Sequence, residues 1–175
     1  MKNKGFTLIE IITAVTIFTI VMTISLGSIL GILDSNRKSR SLQSVMSNLN
    51  LAMETMSREM RYGKNYHCGS SGSITSPQNC PSGDTLMSFL SSDNTQITYR
   101  LNGTTVEKQV DSESFLSVTD AATVIDSLTF YTLGADISNT LQPRVVIKIK
   151  GHAGSGKNIS DFSLQTMVSQ RRLDI

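Results

Sequence analysis

A chain of 175 residues with 39% hydrophobic and 17% charged residues and a net charge of +2 is neither a disordered polyelectrolyte nor a strongly basic nucleic-acid binder. Its 16 Lys and Arg stand against 14 Asp and Glu, and setting aside Lys2 and Lys4 leaves 14 against 14. Beyond Arg37, Lys38 and Arg40 there is no cluster of cations, so no nucleic acid is indicated as a partner.

From the amino terminus, residues Lys4 to Glu10 read KGFTLIE, and Ile11 to Leu33 then run 23 residues without a charge or a proline. Crossing a bilayer takes about 20 apolar residues, so this segment can span one. Glu10 at its start costs on the order of 2 to 3 kcal/mol in a membrane unless it has a partner or a role. A secretory signal would place a small-residue cleavage site after the apolar run; here the small residue, Gly5, precedes it. Gly27 and Gly31 form a GxxxG pattern that permits close helix approach.

Past Leu33 no breaker intervenes, and Leu42, Met46, Leu49, Met53, Met56 and Met60 recur at spacings of three and four. That is the stripe of an amphipathic helix laid on a sheet, so one helix is expected from Phe6 to Tyr62, its first part (6–33) spanning a membrane and its second (34–62) amphipathic.

Cys68 and Cys80, the two cysteines, bracket a Gly/Ser/Pro-rich stretch within a segment, 63–84, expected as a loop. A disulfide between them would staple that loop by about 3 kcal/mol and favour an oxidising, extracytoplasmic compartment. Free structural thiols are the alternative, while two thiols with only His67 nearby fall short of a zinc site. Topology cannot be read from charge, because Lys2 and Lys4 face Arg37, Lys38 and Arg40 across the span.

In the remainder, 85–175, the period switches to two. Strands are expected at Leu86–Leu90, at Gln96–Leu101 and Thr104–Val110 paired across Asn102-Gly103, at Phe115–Thr119, at Val124–Leu133, at Arg144–Lys150 and through Phe162, Leu164, Thr166 and Val168. The fold class is therefore α+β, a long amino-terminal helix packed on a mainly antiparallel sheet. Gly151 to Asn158 satisfies the phosphate-loop pattern GxxxxGK except that Asn158 stands where a Ser or Thr would hold magnesium, and a strand rather than a helix is expected next. His67 and His152 sit in no catalytic motif, so neither catalytic residues nor a cofactor is expected. Asp111, Glu113, Asp120, Asp126 and Asp136 lack calcium-loop spacing, so no metal is expected either.

Lys4, Gly5, Phe6, Thr7, Leu8 and Glu10, followed by uninterrupted apolar sequence, resemble the processing site of type IV prepilins and type II secretion pseudopilins. The resemblance implies a leader of residues 1–5, cleavage by a prepilin peptidase between Gly5 and Phe6, methylation of the new amine at Phe6, and an assembly role for Glu10. It further implies a single-pass cytoplasmic-membrane protein, surrounded by lipid before assembly, with an extracytoplasmic head. Other pilins or pseudopilins and a membrane assembly platform protein are the partners it implies, in a surface or periplasmic filament. Where many major pilins carry a proline near Gly27 and partly melt, this chain has glycine. The segments IDSLTFYTL, PRVVIKIKG and FSLQTMVSQR are similar to J-type pseudopilins and W-type minor pilins, which act at a filament tip, whereas the tip-most K-type subunit typically lacks the glutamate. A major pilin, a competence pseudopilin for DNA uptake and a membrane-anchored extracytoplasmic enzyme are the rival readings.

Overall fold

The computed structural model describes residues 5–70, 73–120, 123–136, 141–154, 156 and 159–171; the leader residues before Gly5, and Ser155, Lys157 and Asn158 of the phosphate-loop pattern, lie outside them. Two compact units divide the chain, Met1–Arg40 and Ser41–Ile175. The 55-residue helix α1, Leu8–Tyr62, begins in the first and ends in the second. Among the described residues nine strands follow: β1 Lys64–Cys68, β2 Cys80–Asp84, β3 Leu86–Leu90, β4 Gln96–Asn102, β5 Thr105–Val110, β6 Leu116–Ser117, β7 Val124–Leu133, β8 Arg144–Ala153 and β9 Ser160–Ser169.

The strands form two antiparallel sheets rather than one, in the orders β1-β3-β4-β5-β6 and β2-β7-β8-β9. Within the second unit the carboxyl-terminal part of α1 buries Val45, Leu49, Ala52, Met53, Met56 and Met60. All of these but Ala52 join Met87, Phe89 and Tyr99 of the first sheet and Leu128, Phe130, Ile147 and Ile149 of the second in one core. The expected stripe is buried from Leu49 to Met60, whereas Leu42 and Met46 are half-buried and Val45 is buried beside Met46. Polar ties fix the helix: Glu59 accepts hydrogen bonds from the Tyr99 hydroxyl and from Lys108 Nζ, each at 2.6 Å. Burial foremost, then the Glu59 carboxylate, pushes the Tyr99 hydroxyl far above the usual tyrosine range.

The β4–β5 hairpin turns one residue later than expected. Asn102 pairs with Thr105, and Gly103, at φ 59°, takes the first central position of the turn. Asn102 stays in the ladder by donating from Nδ2 to Glu107 Oε1 at 3.0 Å. That bond first, with Arg100 adding to it, holds the Glu107 carboxyl below the usual carboxylate range.

The segment 63–84, expected as a loop, instead carries β1 and β2. Gly63 is required at the helix exit, because a Cβ there would lie 2.5 Å from Phe89 Cδ2. Gln78 N donates to Tyr66 O at 2.9 Å and Cys68 N donates to Gln78 O at 3.1 Å, tying the intervening turn to β1. Neither strand advertises itself: Asn65 at φ 53° interrupts β1, and β2 reads CPSGD with no apolar alternation. Gly83 suits β2 to β7, since a Cβ there would meet Tyr131 Cε1 at 2.7 Å.

Candidate functional site

In the first unit, Gly5 and Phe6 precede the helix, and every described residue through Arg40 is exposed. Phe6 is 78% and Leu8 81% accessible. A largely apolar exposed surface such as that of Ile11 to Leu33 calls for an apolar surrounding, and α1 is long and apolar enough to cross a membrane. Thr7 begins the helix: its Oγ1 accepts the Glu10 backbone N–H at 3.4 Å, and its carbonyl accepts the Ile11 N–H at 3.3 Å.

Thr7 and Glu10 thus occupy the two positions of a T-x-x-E capping box, a signal that the sequence carries in its spacing. The Glu10 carboxylate lies in the first turn, where the helix dipole favours negative charge. Among the described residues it forms no ion pair.

Four threonines interrupt the apolar run, and each is satisfied within the helix. The hydroxyls of Thr13, Thr16, Thr19 and Thr23 donate to the carbonyls of Ile9, Ile12, Val15 and Thr19 at 2.8 to 2.9 Å. The segment can therefore sit in hydrocarbon without unpaired threonine hydroxyls. Gly27 and Gly31 have nothing of their own chain within 4 Å of where a Cβ would stand, which leaves that face open to another helix.

In the second unit Cys68 and Cys80 are disulfide-bonded with Cα atoms 5.6 Å apart. Cys68 pairs with Met87 of the first sheet and Cys80 with Thr132 of the second, so the bond joins the two sheets and is no mere staple of a loose loop. His67 is buried beside it, and its Nδ1–H donates to Ser76 O at 2.7 Å; that bond assigns the ring a structural part.

The acidic residues singled out by sequence are not gathered. Asp111 accepts the Gln96 N–H, Asp126 pairs with His152 at 3.1 Å, and Asp136 accepts from Asn79. Among the described residues no group of three His, Cys, Asp or Glu is placed to hold a metal. The phosphate-loop pattern starts inside β8 at Gly151 and is followed by β9, not by a helix whose amino terminus could face phosphates. Gly151 instead permits close packing, since a Cβ there would lie 2.2 Å from Val124 O.

No curated protein and no solved structure matches the chain. Residues 1–26 match the model of the prokaryotic N-terminal methylation motif, a span that holds Gly5, Phe6, the Thr7–Glu10 cap and much of the exposed threonine-bearing helix, and that motif indicates a type IV pilin-like or pseudopilin-like protein.

Proposed function

We propose that this protein is a non-enzymatic minor pilin or pseudopilin subunit, cut by a prepilin peptidase between Gly5 and Phe6, methylated at Phe6, and held in the membrane by α1 with its head outside the cytoplasm. From there it is drawn into a filament, at or near the tip. One observation carries the reading: the exposed, apolar first part of α1 begins, inside the matched motif, with a carboxylate that has no ionic partner among the described residues. Lipid covers such a surface before assembly and neighbouring subunits' helices cover it afterwards, the platform protein mediating the exchange.

Cleavage creates an amine at Phe6. A neighbour offset along the axis by four residues' rise, about 6 Å, brings its own Glu10 to the depth of that amine. In a low-dielectric core the pair attracts strongly while desolvation offsets much of the gain, so the charge sets register more than affinity.

The test compares filament incorporation with membrane level. Glu10→Gln leaves the Thr7 cap in place, because that bond is made by the backbone N–H of residue 10 and glutamine suits the position as glutamate does, yet it removes the charge. Normal insertion with poor incorporation is expected, and Glu10→Asp should fall between. Incorporation of Glu10→Gln at the wild-type level would refute the pairing.

A further inference from the structure

Asp34 and Lys38 repeat, just past the apolar run, the four-residue spacing of the Phe6 amine and Glu10. At about 100° per residue, Asp34 and Lys38 share one face of α1 with Gly27 and Gly31, within an arc of about 60°, whereas Arg37 and Arg40 lie outside it. All four residues of that face are exposed. Neither Asp34 nor Lys38 forms an ion pair among the described residues, although their spacing permits one within the helix.

We propose that this face packs in parallel against the same face of a second copy shifted by four residues, so that Lys38 of the second copy meets Asp34 of the first. The pairing rests on the anchored, filament-forming role proposed above, and gives it a partner and a second fixed point. The occupant follows from charge. Without a shift, Asp34 would oppose Asp34 and Lys38 would oppose Lys38. A shift of four residues, about 6 Å, replaces both repulsions with one attraction and sets no like charges opposite each other.

That shift is also the one, in size and direction, that brings Glu10 of the second copy to the Phe6 amine of the first. Glu10 and Lys38 are 28 residues apart, which is four heptads, so a left-handed supercoil keeps both contacts on one seam. Gly31 of the second copy then stands opposite Gly27 of the first, where open space at both glycines lets the backbones approach. Both helices keep one direction in one membrane. An offset contact of this kind is heterologous and repeats from copy to copy, as a filament requires.

Two full-length chains with different tags, one carrying Ile20→Cys and the other Ile24→Cys, test the register when oxidised together in their own membrane. Both positions are exposed on or beside this face, and the shift brings them to one depth. The native cysteines are already joined to each other.

A reducible species of twice the chain's mass bearing both tags is expected. Asp34→Lys in the Ile20→Cys chain alone should cut it roughly fivefold relative to membrane level, as an attractive contact becomes repulsive. The same change in the Ile24→Cys chain alone should leave it, because that chain meets its partner through Lys38. Adding Lys38→Asp to the Ile24→Cys chain should restore the product lost to Asp34→Lys in the other, which an ion pair within one helix could not do. No two-tag product, an equal effect in either chain as lipid headgroups would give, failure of the restoration, or a product of another mass would each overturn the pairing. Glu10→Gln in the Ile24→Cys chain reads the role of Glu10 separately. Loss of product there with indifference to Asp34→Lys overturns the Asp34–Lys38 contact and leaves that role standing. Loss at Asp34→Lys alone sustains the contact and removes the role assigned to Glu10.

Discussion

Replacing Glu59 by alanine removes the acceptor of two hydrogen bonds that hold α1 to β4 and β5. Tyr99 is fully buried, and stranding its hydroxyl costs about 1 to 3 kcal/mol. Lys108 and Glu59 keep 24% and 25% of their side-chain surface, so solvent screening limits their pair to roughly 1 kcal/mol. A loss of about 2 to 3 kcal/mol is expected, which for a unit of this size lowers the midpoint by about 6 to 10 °C. The chain has no tryptophan, so unfolding of the full-length protein in non-ionic detergent is best followed by far-ultraviolet circular dichroism. The same contact carries a pH signature. An unfolded tyrosine loses its proton near pH ~10, whereas folded Tyr99 keeps it because burial, and then Glu59, disfavour the phenolate. Its contribution is therefore complete below about pH 10 and declines as pH rises further, by at most about 1.4 kcal/mol per unit. Tyr99→Phe should flatten that alkaline decline. A midpoint shift under about 2 °C for Glu59→Ala, or an alkaline slope unchanged in Tyr99→Phe, would refute the reasoning.

Loss of the disulfide through Cys68→Ala with Cys80→Ala should cost about 3 kcal/mol and, because the bond joins the two sheets, should raise amide exchange in β1 and β2 together; exchange confined to the turn between them would contradict the inter-sheet role. Gly151→Ala forces a Cβ against the Val124 carbonyl and the Phe162 ring, so about 1 to 3 kcal/mol of destabilisation is expected in thermal unfolding, and a neutral result would mean that β7 and β8 can separate there without loss. Gly5 replaced by a bulky residue should leave uncleaved precursor in the membrane, detected as a slower band on denaturing gels.

The long helix and most of the strands were legible in the sequence because periodicity reports burial directly. Leu86–Leu90 and Val124–Leu133 appear with the bounds their alternation predicts. What escaped has physical causes. β1 and β2 owe their extended conformation to tertiary pairing and to the disulfide, not to alternation, and Asn65 and Pro81 actively mask them. The division into two sheets depends on which strands become neighbours, β7 pairing back to β2 across some 40 residues of chain, and period-two patterning is silent about neighbours. Val45 and Ala52 complete the buried helical face because a helix covers a surface wider than a single stripe. At the amino terminus, sequence marked Gly5, Phe6 and Glu10 by resemblance and carried the Thr7–Glu10 spacing of a cap as well, whereas the threonine hydroxyls bonded along the helix needed the backbone to be seen.

The most direct test of the account is the mass of the amino-terminal peptide from protein isolated from its own membrane. A chain beginning at Phe6 with one methyl group on its amine is the predicted result. A chain that retains Met1 to Gly5, or one cut after the apolar run so that α1 loses its exposed half, would contradict the assignment of this helix as a processed, filament-forming anchor.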